Sequence, residues 1–240
     1  MTNSDTKIQA FNGMQRWYHK HIIHFMFFFI ITGLPVFSES FSWIGYIFAI
    51  PFDFFSGGNS VVLADGLNTA RMIHRLTAFF FVLSSIPFIF TMLKDIKKWQ
   101  IWPEDKWTIS ALIDGFKQVF YTYSTFKHSQ MGKYNVAQKL MAWAIIGSMI
   151  GITLSGFGLM FRGMISIELQ EICRSLHAIC FVALAIMLIV HIYFSTFPMN
   201  RDGLKAMFGD GTLTLEQIKH HHPLWYKKII SNKKENKKKK

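Results

Sequence analysis

The sequence predicts an all-α integral membrane protein, a four-helix transmembrane bundle with both termini in the cytoplasm. Three observations predict it. First, 51% of the 240 residues are hydrophobic and 16% aromatic, yet the formal net charge is +12 and the mean hydropathy is still positive at +0.25. Oil and charge coexist in this way only when they are segregated along the chain. Second, four windows, approximately 17–37, 72–93, 140–161 and 175–197, each come close to the roughly 20 apolar residues that cross about 30 Å of hydrocarbon. Third, Lys and Arg alternate in density: three in residues 1–20, none in 38–70, eight in 94–139, two between the last windows, and eleven in 198–240. Because cytoplasmic loops collect basic residues, that alternation puts both ends inside. Ten-residue alternating strands, the mark of a barrel, are absent from the sequence, so the spans are helices.

The first window lacks a small-residue cleavage site and ends with Pro35 and bulky Phe37, so it is expected to stay in the mature chain. The apolar stretch 43–55 is too short to span and contains Pro51 and Asp53, which fits an interfacial or re-entrant piece. Between the second and third windows, residues 109–126 are aromatic-rich and partly amphipathic, as expected of a segment along the membrane surface or under a partner. The third window has no histidine but carries Gly147, Gly151, Gly156 and Gly158. With Gly33 in the first window, these admit close approach of either a helix or a macrocycle. In the fourth window Cys173 and Cys180 lie seven apart, two helical turns, too far to bridge, and read as small buried residues. Residues 1–228 form one expected membrane domain. Residues 229–240 read as a lysine-rich flexible tail, solvated or touching anionic lipid, and not as a nucleic-acid patch.

Ionisable residues inside a span are costly, so the histidines ask for an explanation. "RSLHAICFVALAIMLIVHIYF" sets His177 and His191 fourteen residues apart. That interval is about 21 Å of helix and returns to within about 40° of the same face. By position, His74 and His177 lie near the outer ends of their spans and His19 and His191 near the inner ends. The pattern fits two axial pairs, His74 with His177 and His19 with His191, each holding the iron of a haem. Iron held by two imidazoles has no vacant axial position and suits electron transfer. Arg16, Arg71 and Arg174 each precede one of these histidines by three residues and are placed either to meet haem propionates or to snorkel. Packing histidines and a zinc site are the rival readings, and zinc would want ligands converging at one depth. His21 and His24 point elsewhere on the first helix. His220, His221 and His222 lie away from any span, so all five are expected to be non-ligands.

The chain resembles the di-haem cytochrome b family, and more narrowly the gamma (cytochrome b556) subunit of respiratory formate dehydrogenase. Three strings carry the resemblance: "RWYH" with Gly33 in "ITGLP" fourteen residues beyond His19, "GKYNVAQK" from Gly132 to Lys139, and "KHHHPLWY" from Lys219 to Tyr226. With the His177/His191 interval they cover residues 14 to 228. The chain departs from the pattern in a longer outer segment between the first two spans, an extra histidine in the tail string, and "IHRL" around His74.

The resemblance implies two haem b groups and menaquinone as acceptor. It also implies an iron-sulphur subunit and a molybdenum or tungsten catalytic subunit as partners, in a bacterial cytoplasmic (inner) membrane. It places a quinone pocket at Asn135, Gln138 and the vicinity of His191; helix capping is the other reading of the two amides. No nucleophile triad, phosphate loop or cysteine cluster is present, so formate chemistry would belong to a partner and this chain carries no catalytic residue of that kind. Cytochrome subunits of hydrogenase or thiosulfate reductase share four spans with histidines, and a haem-free anchor or transporter is the reading from another class.

Overall fold

The structure is a computed structural model describing residues 6–57, 62–94, 96, 99–102, 108–127 and 131–238. Among the described residues four helices are long and apolar enough to cross a membrane: α1 (Gly13–Phe37), α3 (Val62–Lys94), α5 (Val136–Met160) and α6 (Ile167–Thr196). Among these spans sit α2 (Gly45–Ser56) and α4 (Ile109–Thr125). Strand β1 (Lys7–Gln9) precedes them, and α7 (Arg201–Phe208), β2 (Thr212–Thr214), α8 (Leu215–His221) and α9 (Pro223–Lys238) follow. The protein is an all-α membrane protein of four spans. Within the apolar windows only 6–11% of residues are buried, and side chains such as Phe90, Leu154 and Ile189 lie exposed. Hydrocarbon, and not a protein core, is the solvent for those faces.

The chain divides into two compact units, one of residues 13–95 and one of residues 1–12 with 96–240. In the first, α1 packs on α3. Tyr18 donates to Ser85 at 2.7 Å and stacks on Phe88 with centroids 4.1 Å apart. The stretch expected as an interfacial piece is helix α2, closed by Gly57 in the left-handed conformation. It lies against an α3 that starts ten residues before the apolar window. A Cβ on Gly66 would strike the Gly45 carbonyl, so only glycine permits that approach. At 33 residues α3 is about 50 Å long, more than the hydrocarbon needs. Hydropathy marks only its lipid-facing part, and the polar start with Asp65 and Asn68 escaped that signal.

In the second unit α5 packs on α6. Ser166 caps α6, its hydroxyl accepting from Leu169 N–H, so α6 also begins eight residues before its window. Gly151 faces Cys180 and Gly158 faces Cys173, both cysteines being free. Those two glycines therefore serve helix packing, whereas nothing lies within 4 Å of a Cβ built on Gly147. Helix α4 docks through Gly115, where a Cβ would overlap Val136 at the start of α5. Its outer face exposes Ile109, Ile113, Phe116 and Phe120, one stripe at helical spacing.

A small cap completes this unit. β1 pairs antiparallel with β2, Ile8 opposite Leu213, over a core of Ala10, Ala206, Leu213, Ile218 and Trp225. Helix α9 continues to Lys238, so residues 229–238 of the segment expected as a flexible tail are helical. The last two lysines lie outside the described residues.

Candidate functional site

Each unit holds one of the two histidines expected near the outer ends of their spans, in the same setting. In the first, His74 on α3 meets Thr32 and Gly33 on α1: Thr32 Oγ1 lies 2.9 Å from His74 Nδ1. A Cβ on Gly33 would lie 3.3 Å from His74 Cε1 and 3.6 Å from Nδ1. In the second, His177 on α6 meets Ser155 and Gly156 on α5: Ser155 Oγ lies 3.1 Å from His177 Nδ1. A Cβ on Gly156 would again lie 3.3 Å from Cε1 and 3.6 Å from Nδ1. A hydroxyl residue followed by glycine on one helix thus cradles a histidine on the next, twice in the chain.

His19, His74, His177 and His191 are all half-buried, whereas His21 and His24 are exposed. The latter two hold backbone carbonyls of their own helix, Trp17 O at 2.7 Å and Lys20 O at 3.1 Å. Among the described residues no group of three or more His, Cys, Asp or Glu side chains gathers as a zinc site would require. Arg71 donates to Asn68 at 3.0 Å and Arg174 pairs with Glu171 at 3.4 Å. Both are exposed, within α3 and α6, and Arg16 is half-buried.

At the other end of the second unit the strings "GKYNVAQK" and "KHHHPLWY", almost ninety residues apart, meet. His222 Nδ1 lies 3.0 Å from Gly132 O, Leu224 N–H donates to Met131 O at 3.1 Å, and Lys133 Nζ sits over Trp225 at 5.3 Å and Phe11 at 4.9 Å. Lys133 also donates to Ala10 O. Burial lowers its pKa to about 8 and raises that of Tyr134 to about 12.

Between the strings lies a small open cleft reached by Asn135, Gln138, Lys133, Asn200, His221 and His222. Asn200 bridges Tyr123 OH at 2.8 Å and Phe194 O at 2.7 Å, tying the cleft to the turn of α6 that follows His191. His221 Nε2 is 3.5 Å from Asp202; burial first, then neighbouring His220, lowers its pKa.

Asn135 and Gln138 do form a capping box at the start of α5. Asn135 Oδ1 accepts from Gln138 N–H at 2.8 Å, and Gln138 Oε1 accepts from Asn135 N–H at 3.0 Å. Those bonds consume the side-chain oxygens and leave both NH2 groups outside the box, while both residues line the cleft. The capping and ligand readings are thus compatible.

A model of the prokaryotic cytochrome b561 family matches residues 10–210. The chain belongs to that family. Its similarity extends to a formate dehydrogenase cytochrome b556 subunit of Haemophilus influenzae, 24% identical over 236 residues, 96% of this chain and 87% of the relative. Two Escherichia coli K12 relatives align over shorter stretches. The formate dehydrogenase cytochrome b556(fdo) subunit is 32% identical over 101 residues, 41% of this chain and 46% of its own. The nitrate-inducible cytochrome b556(Fdn) subunit is 26% identical over 106 residues, 43% of this chain and 48% of its own.

Membership of the cytochrome b561 family implies haem b, and the donor set fits it. The half-buried imidazoles of His74 and His177 lie against glycine backbone, where any side chain would crowd the ring. Sequence reasoning passed over Thr32 and Ser155, although the dipeptides Thr32-Gly33 and Ser155-Gly156 were visible as repeats. It also set aside His221 and His222, whose place in the cleft depends on a contact across the chain that no local spacing announces.

Proposed function

We propose that this chain is the membrane cytochrome b subunit of a formate dehydrogenase complex. In this reading it carries electrons from an outer iron-sulphur subunit, through two b haems, to menaquinone near the cytoplasmic side. The observation that carries the reading is the matched setting of His74 and His177 in two separate helix pairs, with His191 fourteen residues further along α6 near the same face. The names of the relatives support formate dehydrogenase as the complex. The alternation of basic residues supports cytoplasmic termini.

Haem b supplies one-electron transfer when bound. His74 and His177 hold the outer group and His19 and His191 the inner one. Helix α6 thus contributes one ligand to each, about 21 Å apart. Arg16, Arg71 and Arg174 stand one turn toward the interface and pair with propionates, Arg71 and Arg174 exchanging their weak exposed partners Asn68 and Glu171 to do so. Menaquinone takes two electrons and two protons to become menaquinol. In the cleft the NH2 groups of Asn135 and Gln138 donate to a quinone carbonyl, and His221, beside Asp202, passes protons from the cytoplasm. Formate is oxidised by the molybdenum or tungsten subunit, outside this chain.

A reduced-minus-oxidised visible spectrum of the purified complex tests the reading. Two b-type components are expected. His191→Ala is expected to lose the inner one and stop quinol formation while the outer one stays reducible. Both haems retained with normal turnover in that variant would overturn the ligand assignment.

A further inference from the structure

We propose that Thr32 and Ser155 are positioning residues that fix the tautomer of His74 and His177, keeping Nδ1 protonated so that Nε2 offers its lone pair to the outer haem iron. The inference rests on the reading that these two histidines are the outer ligands. A hydroxyl has one proton to give. Thr32 Oγ1 lies 2.5 Å from Phe28 O and 2.9 Å from His74 Nδ1. Ser155 Oγ lies 2.7 Å from Gly151 O and 3.1 Å from His177 Nδ1. In both helix pairs the shorter distance runs to the backbone carbonyl four residues earlier, so that carbonyl takes the hydroxyl proton. Toward the imidazole the oxygen then has only lone pairs, and Nδ1–H must donate. A neutral ring with Nδ1–H carries its lone pair on Nε2.

The glycine that follows each hydroxyl completes the device. Gly33 and Gly156 bring backbone against the Cε1 and Nδ1 edge of the ring at matching distances. A flip that would present Nδ1 in place of Nε2 would break the hydroxyl contact and turn the opposite edge into the cradle. Two separate helix pairs share this arrangement, which packing alone does not require.

An accepting partner on Nδ1 strengthens the imidazole as a donor and favours ferric iron. Removing one neutral hydrogen bond of this kind shifts the ferric-to-ferrous ratio at fixed potential by about threefold to tenfold. At 59 mV per decade for one electron, that is an upward shift of about 28–59 mV in the outer haem.

The test is a potentiometric titration, followed by visible spectra and by the low-spin ferric resonance signals, of membranes containing the assembled complex. Thr32→Val and Ser155→Ala are expected to raise the outer midpoint and alter its resonance signal while the inner midpoint stays in place. Thr32→Ser and Ser155→Thr, which keep the hydroxyl, are expected to restore both. Wild-type midpoints in Thr32→Val and Ser155→Ala with full haem content overturn the proposal. So does loss of the outer haem in Thr32→Ser, since the methyl and not the hydroxyl would then be the essential group. If Thr32→Val loses the haem outright, Ser155→Ala decides alone, and a wild-type midpoint there overturns the proposal. His74→Ala and His177→Ala run in parallel: retention of both haems in those variants overturns the ligand reading itself, an outcome separate from the hydroxyl results.

Discussion

Gly151→Ala probes whether the distance between α5 and α6 governs the histidine cradle. A Cβ at that position would stand 2.7 Å from Cys180 Sγ, whereas non-bonded atoms settle at about 3.5–4.0 Å. Cys180 is buried, so its thiol has little room to rotate, and the helices must part by about 1 Å at this level. His177 lies one turn before Cys180, and its 3.1 Å contact with Ser155 would stretch past hydrogen-bond range. Overpacking of this kind costs about 1–3 kcal/mol, or about 5-fold to 150-fold in an equilibrium constant. Cys180→Ala removes the opposing sulphur and leaves Leu176 Cδ1, at 3.8 Å, as the next neighbour. The double variant should therefore recover most of what the single one loses. Thermal release of haem from the purified complex, followed by the visible α-band, measures each corner of the cycle. A coupling of about 1–2 kcal/mol is expected. Strictly additive losses would refute the claim that these two residues set the helix separation.

Three further outcomes follow from the cap and the cleft. Asn135→Asp keeps an oxygen to cap α5 but removes the NH2 donor, so on the proposed quinone reading KM for menaquinone should rise while haem content and melting stay unchanged. Asn135→Ala should add a capping loss of about 1 kcal/mol, and steady-state assays beside melting curves separate the two. Lys133 has a folded pKa of about 8 against 10.5 for the free side chain. Between those values the unfolded chain binds more protons, so cap stability should rise with pH from 8 toward 10.5 and should be lowest below 8. Proteolysis at β1 should slow across that window in the wild type, and Lys133→Met should flatten the trend. Ile218→Ala empties a fully buried site in the cap, and the cavity should cost about 2–5 kcal/mol, read as faster amide exchange at Leu213 with haem content unchanged.

The spans were legible because lipid imposes a one-dimensional rule: about twenty apolar residues without charge. That rule also explains the misjudged boundaries. α3 and α6 run on into polar turns beginning at Asp65 and Glu168, where helix continues but hydropathy falls. Ser166 could have announced the true start of α6, since it caps the helix two residues before the first acidic side chain. The cap was less legible because its parts are distant in sequence. Lys133, Phe11 and Trp225 meet only once β1 has paired with β2, and the lysine run beyond residue 228 reads as coil by charge while α9 carries it as helix.

The duplicated cradle is not accompanied by a duplication of the histidines proposed as inner ligands. Stepping fourteen residues from His177 along α6 reaches His191, and the same step from His74 along α3 reaches Phe88. Stepping back fourteen from Gly33 along α1 reaches His19, and from Gly156 along α5 it reaches Ala142. A perfect repeat would carry four such imidazoles along the chain, two more than the proposed inner iron could use. The chain keeps one from each helix pair, on α1 and on α6. On α3 the vacated position is filled by the Phe88 ring stacked on Tyr18, the residue beside His19. Tyr18 is anchored in turn by Ser85, whose own proton goes to Phe81 O at 2.7 Å. A hydroxyl bonded to the carbonyl four residues earlier therefore steadies a ring here too, that of Tyr18, the neighbour of His19 in the sequence.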